Sequence, residues 1–219
     1  MTDWNYLRPI FIQSIGETLF MALVTLLVGG ICGLVLGVFL YATRRGGVLA
    51  NRTVNLVLNV IVNIVRPIPF IIFMTAIAPL TLEVIGTTIG VRAATFPLCI
   101  AATFAMSRIV EQNLVTVDPG VVEAARAMGA GPWRILFDVV AREALGPLIL
   151  GYTYVLIAIV DMTAIAGAIG GGGLGQFAIT YGYQRFNWTV TAVAVVTIIV
   201  LVQCAQFLGN WLARKALRR

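Results

Sequence analysis

Long apolar runs constrain the fold of this chain more strongly than any motif that it carries. The chain has 219 residues, of which 60% are hydrophobic and only 11% are charged, whereas charged residues make up about 25% of a typical soluble domain. A helix of about 20 apolar residues crosses the hydrocarbon core of a bilayer. Five runs have or approach that length: Leu19 to Ala42, Leu56 to Leu80, Ala93 to about Val110, about Leu145 to Ile169, and about Thr189 to Leu212. The sequence therefore predicts an all-α integral membrane bundle of five transmembrane helices, forming one domain over residues 1–219.

Basic residues indicate how this bundle is oriented, because positively charged loops stay on the cytoplasmic side of a membrane. The loops after the first, third and fifth runs hold most of them: Arg44, Arg45, Arg52, Arg108, Arg126, Arg134, Arg142, Arg214, Lys215, Arg218 and Arg219. The opposite side holds Arg8, Arg92 and Arg185. We therefore expect the N-terminus outside and the C-terminus inside. The net charge of +6 comes with no basic stripe interleaved with aromatic residues, so nucleic acid is not an expected partner, whereas membrane lipid is.

The second apolar run contains polar residues and a break. Asn59 and Asn63 lie within it, followed by Arg66 in the sequence Arg-Pro-Ile-Pro. Arginine near the centre of a membrane helix costs about 2.5–3.5 kcal/mol on insertion scales, so Arg66 needs a partner or a water-filled pathway. Asp161 in the fourth run is one candidate partner. Alternatively, Asp161 lies near the outer mouth, where it is hydrated, or it contacts an amino group of a substrate.

Glycines in the first run predict a tightly packed helix face. Gly29, Gly33 and Gly37 are spaced by four residues and form overlapping small-xxx-small pairs, which let two helix backbones approach closely. The partner is either a neighbouring helix of the same chain or a second copy of the chain.

The composition excludes several kinds of chemistry. The chain has no histidine, which is the commonest general base and metal ligand. Its three cysteines show no paired spacing, and its serines and carboxylates form no catalytic constellation. The glycine run from Gly170 to Gly173 lacks the Gly-Lys-Ser/Thr ending of a phosphate-binding loop and is interpreted as a structural turn. We therefore predict no catalytic site, metal site or cofactor in this chain.

The segment Asp118 to Leu145 is the one long stretch that does not resemble a lipid-facing helix. Asp118 and Pro119 are typical of a helix N-cap and first helical position, and Gly129 to Pro132 are expected to end that helix. Helical spacing would place Val121, Ala125 and Met128 on one side, and Glu123, Arg126 and Ala130 on the other. The small residues of this short helix suit close approach of a second protein. The alternative is an ordinary polar loop between two spans.

The same segment resembles the EAA loop of the membrane subunits of ABC importers. The resemblance rests on Glu123-Ala124-Ala125, on Gly129 and on the aliphatic Val139. It implies that residues 118–131 form a cytoplasmic coupling helix that contacts an ATPase. The residues implied in this contact are Val121, Val122, Glu123, Ala124, Ala125, Met128 and Gly129. The family pattern usually ends in Leu-Pro, where this chain has Ala141 and Arg142; without that proline, the following helix is expected to continue.

Further motifs are similar to the methionine branch of these importers. They are Arg66-Pro67-Ile68-Pro69-Phe70, Ala164 to Ile169, Leu174-Gly175-Gln176, Tyr181-Gly182-Tyr183 and Asn187. This resemblance implies a type I ABC importer permease fold in the bacterial inner membrane. It also implies a homodimer, two ATPase subunits that bind ATP and Mg, an extracytoplasmic substrate-binding protein, and methionine or a close derivative as substrate.

The transport pathway is expected to include four residues of the second and fourth runs. Met162 and Ile165 are candidates for an apolar gate, since a hydrophobic constriction closes a pathway by dewetting; the alternative is ordinary packing. Arg66 and Asp161 are the candidate polar residues of the pathway. The competing functions are an ion-coupled secondary transporter of a small solute and an importer permease for a different amino acid.

Overall fold

The computed structural model describes residues 3–217, in which the regular structure is entirely helical. The principal helices are α1 (Trp4–Thr43), α2 (Arg52–Val65), α3 (Phe70–Ala76), α4 (Ala78–Ile85), α5 (Val91–Val115) and α6 (Pro119–Ala127). They continue with α7 (Pro132–Arg134), α8 (Ala141–Glu143), α9 (Leu145–Ala168), α10 (Gly173–Phe177) and α11 (Trp188–Leu217). Two π-helical segments, Ile135–Val140 and Ala178–Tyr183, follow α7 and α10. Arg218 and Arg219, which enter the charge distribution above, lie outside the described residues.

The membrane-crossing helices agree in number with the prediction only if a bent pair counts as one span. Within residues 3–217, four helices are long and apolar enough to cross a bilayer, namely α1, α5, α9 and α11. The fifth crossing would be α2 with α3, which meet at an angle of 103°. The second apolar run is therefore not one straight helix. Pro67 and Pro69 lie within this bend. Because proline lacks a backbone N–H and cannot continue the helical hydrogen bonds, these two residues account for the bend.

Helix α1 begins fifteen residues before the start predicted from hydropathy, at Trp4 instead of Leu19. Asp3 caps it, since its carboxylate accepts a hydrogen bond from the amide of Asn5 at 3.1 Å. The additional turns are stabilised by aromatic packing, with the rings of Phe11 and Phe177 5.3 Å apart. Hydropathy identifies only the lipid-crossing part of a helix, so it does not predict the turns of α1 that precede Leu19.

Helices α1 and α5 pack closely through the glycine stripe. A Cβ added to Gly33 would lie 2.5 Å from the Cβ of Met106, and one added to Gly37 would lie 2.5 Å from the carbonyl oxygen of Ser107. Gly29 likewise faces Ala102. The same-chain alternative of the small-xxx-small prediction is thus confirmed. Helices α1 and α5 form the most extensively packed pair in the described bundle.

The segment between α6 and α9 remains helical through the position where the family pattern has proline. Arg142 lies within α8, and the amide of Leu148 donates to the carbonyl of Ala144 across the junction with α9. The expected continuation through Arg142 is confirmed. Its guanidinium lies 3.6 Å from the carboxylate of Asp138, but both side chains are largely exposed, so this ion pair contributes little to stability.

Candidate docking helix and transport pathway

Helix α6 has the boundaries that its capping residues predict. The carboxylate of Asp118 accepts a hydrogen bond from the amide of Gly120 at 2.8 Å, and Pro119 occupies the first helical position. At the other end the amide of Ala130 donates to the carbonyl of Ala125 at 3.0 Å, while Gly129 has φ +79°. These two features form a Schellman cap, in which glycine adopts the left-handed conformation without strain. The helix is therefore defined by local chemistry at both ends.

The buried face of α6 covers only part of the side on which helical spacing places Val121, Ala125 and Met128. Ala125 is buried and Val122 half-buried, and both pack on the apolar cluster that includes Ile135 and Leu136. Val121 and Met128, which the spacing grouped with Ala125, are exposed. The buried face is centred between Val122 and Ala125, so Val121 and Met128 lie at its edge.

The outward surface of α6 is made largely of small residues, and we call it the α6 face. Gly120, Ala124 and Ala127 are exposed at helical spacing, and Val121 and Met128 border them. Small side chains leave the helix backbone accessible to a partner, as they do where helices pack closely. This surface is unoccupied by the rest of the described chain, and its shape suits insertion into a cleft.

Helix α6 is attached to the bundle so that its movement reaches α5 directly. Only residues 116–118 separate the end of α5 from the start of α6. The guanidinium of Arg126 also donates to the carbonyl of Gly46 in the loop after α1, at 3.3 Å. The structure thus connects α6 to the end of α5 and to the loop that follows α1.

The two candidate gate residues lie where α9 meets the bent span. Met162 and Ile165 are half-buried and pack on the apolar cluster that contains Phe70, Phe73 and Met74 of α3. The structure thus brings both residues against the segment that begins directly after the Arg-Pro-Ile-Pro break.

The two candidate pathway charges are exposed and do not pair within the chain. Arg66 and Asp161 are both exposed, and the ion pairs found among residues 3–217 do not include them. The predicted Arg66–Asp161 pair is therefore absent from the described chain. Complementary charge alone does not specify that two side chains meet. Asp161 instead shares an exposed stripe of α9 with Leu150 and Tyr154.

A polar cluster that the sequence analysis missed links α5 to α2, and we call it the Arg108 clasp. The Arg108 guanidinium donates to the side-chain oxygens of Asn59 at 3.0 Å and Asn63 at 2.7 Å, and it pairs with Glu111 on its own helix. The side chains of Arg108 and Glu111 are each only 15% exposed. The sequence carries two signals for this cluster, namely the position of Arg108 within the predicted third span and the i, i+4 spacing of Asn59 and Asn63; the distribution of basic residues alone indicates only a topological role for Arg108.

The glycine turn after α9 is held by side chains of α1. The carboxylate of Glu17 accepts a hydrogen bond from the amide of Gly173 at 2.7 Å, and the hydroxyl of Thr18 accepts one from the amide of Leu174 at 2.8 Å. Gly172 and Gly173 have φ values of +85° and +76°, which favour glycine. Since a carboxylate of the chain itself occupies these amides, the structural interpretation of the turn is supported over a phosphate cradle.

Comparison with known proteins identifies a transport family. Residues 29–218 match the family described as "Binding-protein-dependent transport system inner membrane component". The chain is 41% identical over 216 residues to the probable D-methionine transport system permease protein MetI of Vibrio cholerae, covering 98% of this chain and 96% of that protein. It is 43% identical over 171 residues to the methionine import system permease protein MetP of Bacillus subtilis, covering 78% and 77%.

Solved structures agree with these sequence relatives. A chain of the MetNI methionine ABC transporter, in an inward-facing conformation, superposes with a TM-score of 0.94 at 39% identity, and 99% of each chain is covered. A chain of an amino acid ABC transporter solved with histidines superposes with a TM-score of 0.80 at 19% identity, covering 98% of this chain and 99% of that chain. At that identity the second likeness establishes the fold alone.

Proposed function

The chain belongs to the family of inner membrane components of binding-protein-dependent transport systems, and from that premise we propose that it moves methionine, or a close derivative, across the inner membrane as the permease of an ATP-driven importer. The observation that carries this proposal is the exposed α6 face at the end of α5, which offers a cleft-binding helix to an ATPase. The names of the relatives, which refer to D-methionine and methionine, support the substrate.

The functional assembly that we propose is a homodimer of this chain with two cytoplasmic ATPase subunits below and a substrate-binding protein outside. ATP and Mg are bound by the ATPase, whereas this chain carries no cofactor and performs no covalent chemistry. The exposed carboxylate of Asp161 within α9 supports a dimer, because a charged group at membrane depth needs a protein or water environment instead of lipid. The distribution of basic residues supports an external N-terminus and a cytoplasmic C-terminus.

The pathway is proposed to run along the exposed stripe of α9 and past the bent span. Asp161 and Arg66 contribute charges to its wall, and Met162 and Ile165 form an apolar constriction against α3. Movement of α6 by the ATPase alters the position of α5 and so opens the pathway to alternate sides of the membrane. The contacts of α6 residues Val122 and Ala125 with the bundle, together with the exposed Val121, Glu123, Ala124, Met128 and Gly129, support this coupling role.

Uptake of labelled methionine into proteoliposomes tests the proposed function. We expect uptake to require this chain, its co-expressed ATPase, its binding protein and ATP inside the vesicles. Uptake driven by an ion gradient, without association of an ATPase, would establish the secondary-transporter alternative instead. Association with the ATPase and uptake of another amino acid, but not of methionine, would leave the importer mechanism intact and refute the substrate.

Replacing Ile165 tests the constriction. The variant Ile165→Ala is expected to raise passive leak of substrate and the ATPase activity measured without binding protein, because a smaller side chain leaves a wider and more hydrated passage. The variant Ile149→Ala is the control, since Ile149 is a half-buried isoleucine on the same helix but lies near its N-terminal end, far from Ile165. If leak and ATPase activity in Ile165→Ala match those of the control, Ile165 belongs to ordinary packing and not to a gate.

A further inference from the structure

We propose that Arg108 is a positioning residue for transport: through the Arg108 clasp, it transmits movement of α5 to α2 and hence to the bent span. This inference rests on the proposed function, since it supposes that an ATPase moves α6. It adds a specific mechanical link between the docking helix and the pathway.

Helix α2 has little apolar attachment to the rest of the chain. Of its fourteen residues, Arg52 to Val65, only Val62 is buried. Leu56 and Ile64 are more than 60% exposed. Apolar packing therefore fixes the position of α2 weakly, and the polar contacts on its other face gain importance.

The clasp supplies such contacts with a geometry that suits a guanidinium. Arginine presents five N–H donors in a planar fork, and Arg108 uses this fork to reach Asn59, Asn63 and Glu111 together. The side chains of Arg108 and Glu111 are each only 15% exposed, and such burial strengthens the hydrogen bonds between them and makes an unpaired member costly. The clasp therefore holds α2 and α5 in one relative position. If the two helices move relative to each other, its hydrogen bonds break and re-form together.

A relay extends the clasp to the end of α1. The side-chain amide of Asn59 donates to the carbonyl of Asn55 at 2.8 Å. The side-chain amide of Asn55 in turn donates to the carbonyl of Leu40 at 3.0 Å and the hydroxyl of Thr43 at 3.2 Å. Polar contacts thus connect α5, α2 and α1 near the end of the bundle that carries α6.

The clasp lies between the two parts that transport must connect. On one side, α5 continues into α6 after residues 116–118. On the other side, α2 leads through the break at residues 66–69 to α3, whose Phe70, Phe73 and Met74 pack with Met162 and Ile165. Displacement of α6 reaches the constriction through α2 only if α2 follows α5, and the clasp provides that connection.

Uptake and ATP hydrolysis, measured together in proteoliposomes of the complete complex, test the clasp. The variant Arg108→Met/Glu111→Gln removes the guanidinium without leaving a buried carboxylate unpaired, and Asn63→Leu removes one acceptor. We expect methionine uptake per ATP hydrolysed to fall about tenfold in the first variant, within the range of typical coupling energies, while ATP hydrolysis continues. The variant Arg108→Lys keeps the charge but not the planar fork. We expect its uptake per ATP hydrolysed to lie between the value of Arg108→Met/Glu111→Gln and that of the unmodified chain.

The control is Arg134→Met/Asp138→Asn, which removes an ion pair whose side chains are 78% and 53% exposed. We expect this variant to keep the unmodified ratio. An unchanged ratio in correctly inserted Arg108→Met/Glu111→Gln would overturn the proposal. Loss of ATP hydrolysis in proportion to uptake would overturn it as well, because it would indicate a role in folding or ATPase binding.

A second measurement separates the clasp from the identity of the substrate. In a chain whose native cysteines are replaced, Thr53→Cys places a thiol on the exposed first turn of α2, before the apolar run that starts at Leu56, and its reaction with a water-soluble maleimide is followed with and without ATP and vanadate. We expect ATP and vanadate to change the labelling rate when the clasp is intact and not when it is removed. A nucleotide-dependent change without methionine uptake would refute the proposed substrate and support the clasp. The same nucleotide-dependent change in Arg108→Met/Glu111→Gln would overturn the proposal.

Discussion

Replacing Ala124 by tryptophan is expected to abolish binding of the ATPase and, with it, ATP-driven uptake. Ala124 lies on the α6 face, away from the half-buried Val122 and the buried Ala125, so a large side chain there obstructs a partner without disturbing the bundle. The few hot-spot positions of an interface contribute about 2 kcal/mol or more each to binding, and an indole that holds the two surfaces apart removes contacts of that size. Co-purification of the ATPase with the tagged permease, followed by uptake in proteoliposomes, measures the effect.

The choice of position and control makes this result specific to docking. Gly129 is a less suitable site because its φ of +79° means that any side chain there strains the turn as well as enlarging the surface. The variant Ala124→Ser keeps the residue small and is expected to bind the ATPase normally. Normal co-purification with Ala124→Trp, in a permease that is fully inserted, would show that the ATPase binds elsewhere.

Local chemistry explains why the limits of α6 and the membrane class could be predicted. Asp118, Pro119 and Gly129 define a helix through interactions within a few residues of each, and apolar runs are visible without knowledge of tertiary contacts. The all-α permease fold is likewise confirmed by the solved methionine transporter chain. These features depend on neighbouring residues or on composition, so they can be predicted without knowing which distant residues come into contact.

Features that depend on distant residues could not be obtained in the same way. Arg108 and Asn63 are 45 positions apart, and nothing in their separate surroundings identifies each as the partner of the other. Conversely, Arg66 and Asp161 were paired on charge alone, and the structure leaves both exposed. The direction in which a helix face points is also a tertiary property, so helical spacing alone does not indicate that Ala125 is buried while Val121 and Met128 are exposed. Roles in the pathway remain proposals for the same reason.

The close contact between α1 and α5 gives the second large effect, since movement of α6 is delivered to a rigid pair only if that pair stays packed. Gly33→Leu is expected to prevent this packing: even the first added atom would lie 2.5 Å from the Cβ of Met106 and 2.8 Å from the carbonyl oxygen of Thr103. A backbone carbonyl cannot rotate away as a side chain does, so α1 must separate from α5. Overpacking typically costs about 1–3 kcal/mol. The backbone contact places Gly33→Leu at the upper end of that range, and we expect the apparent melting temperature to fall by about 6–12 °C.

Gly16→Leu provides the matched comparison, because it makes the same change in the same helix at a position where an added Cβ meets nothing within 4 Å. Both variants gain helix propensity by up to about 1 kcal/mol, so the difference between them isolates packing against α5. When the monodisperse fraction is followed during heating in detergent, we expect Gly16→Leu to keep it to the same temperature as the unmodified chain or slightly higher, and Gly33→Leu to lose it at a much lower temperature. Equal curves for the two variants would mean that α1 and α5 are not held together through the glycine stripe, and the transmission of α6 movement would then need a different rigid element.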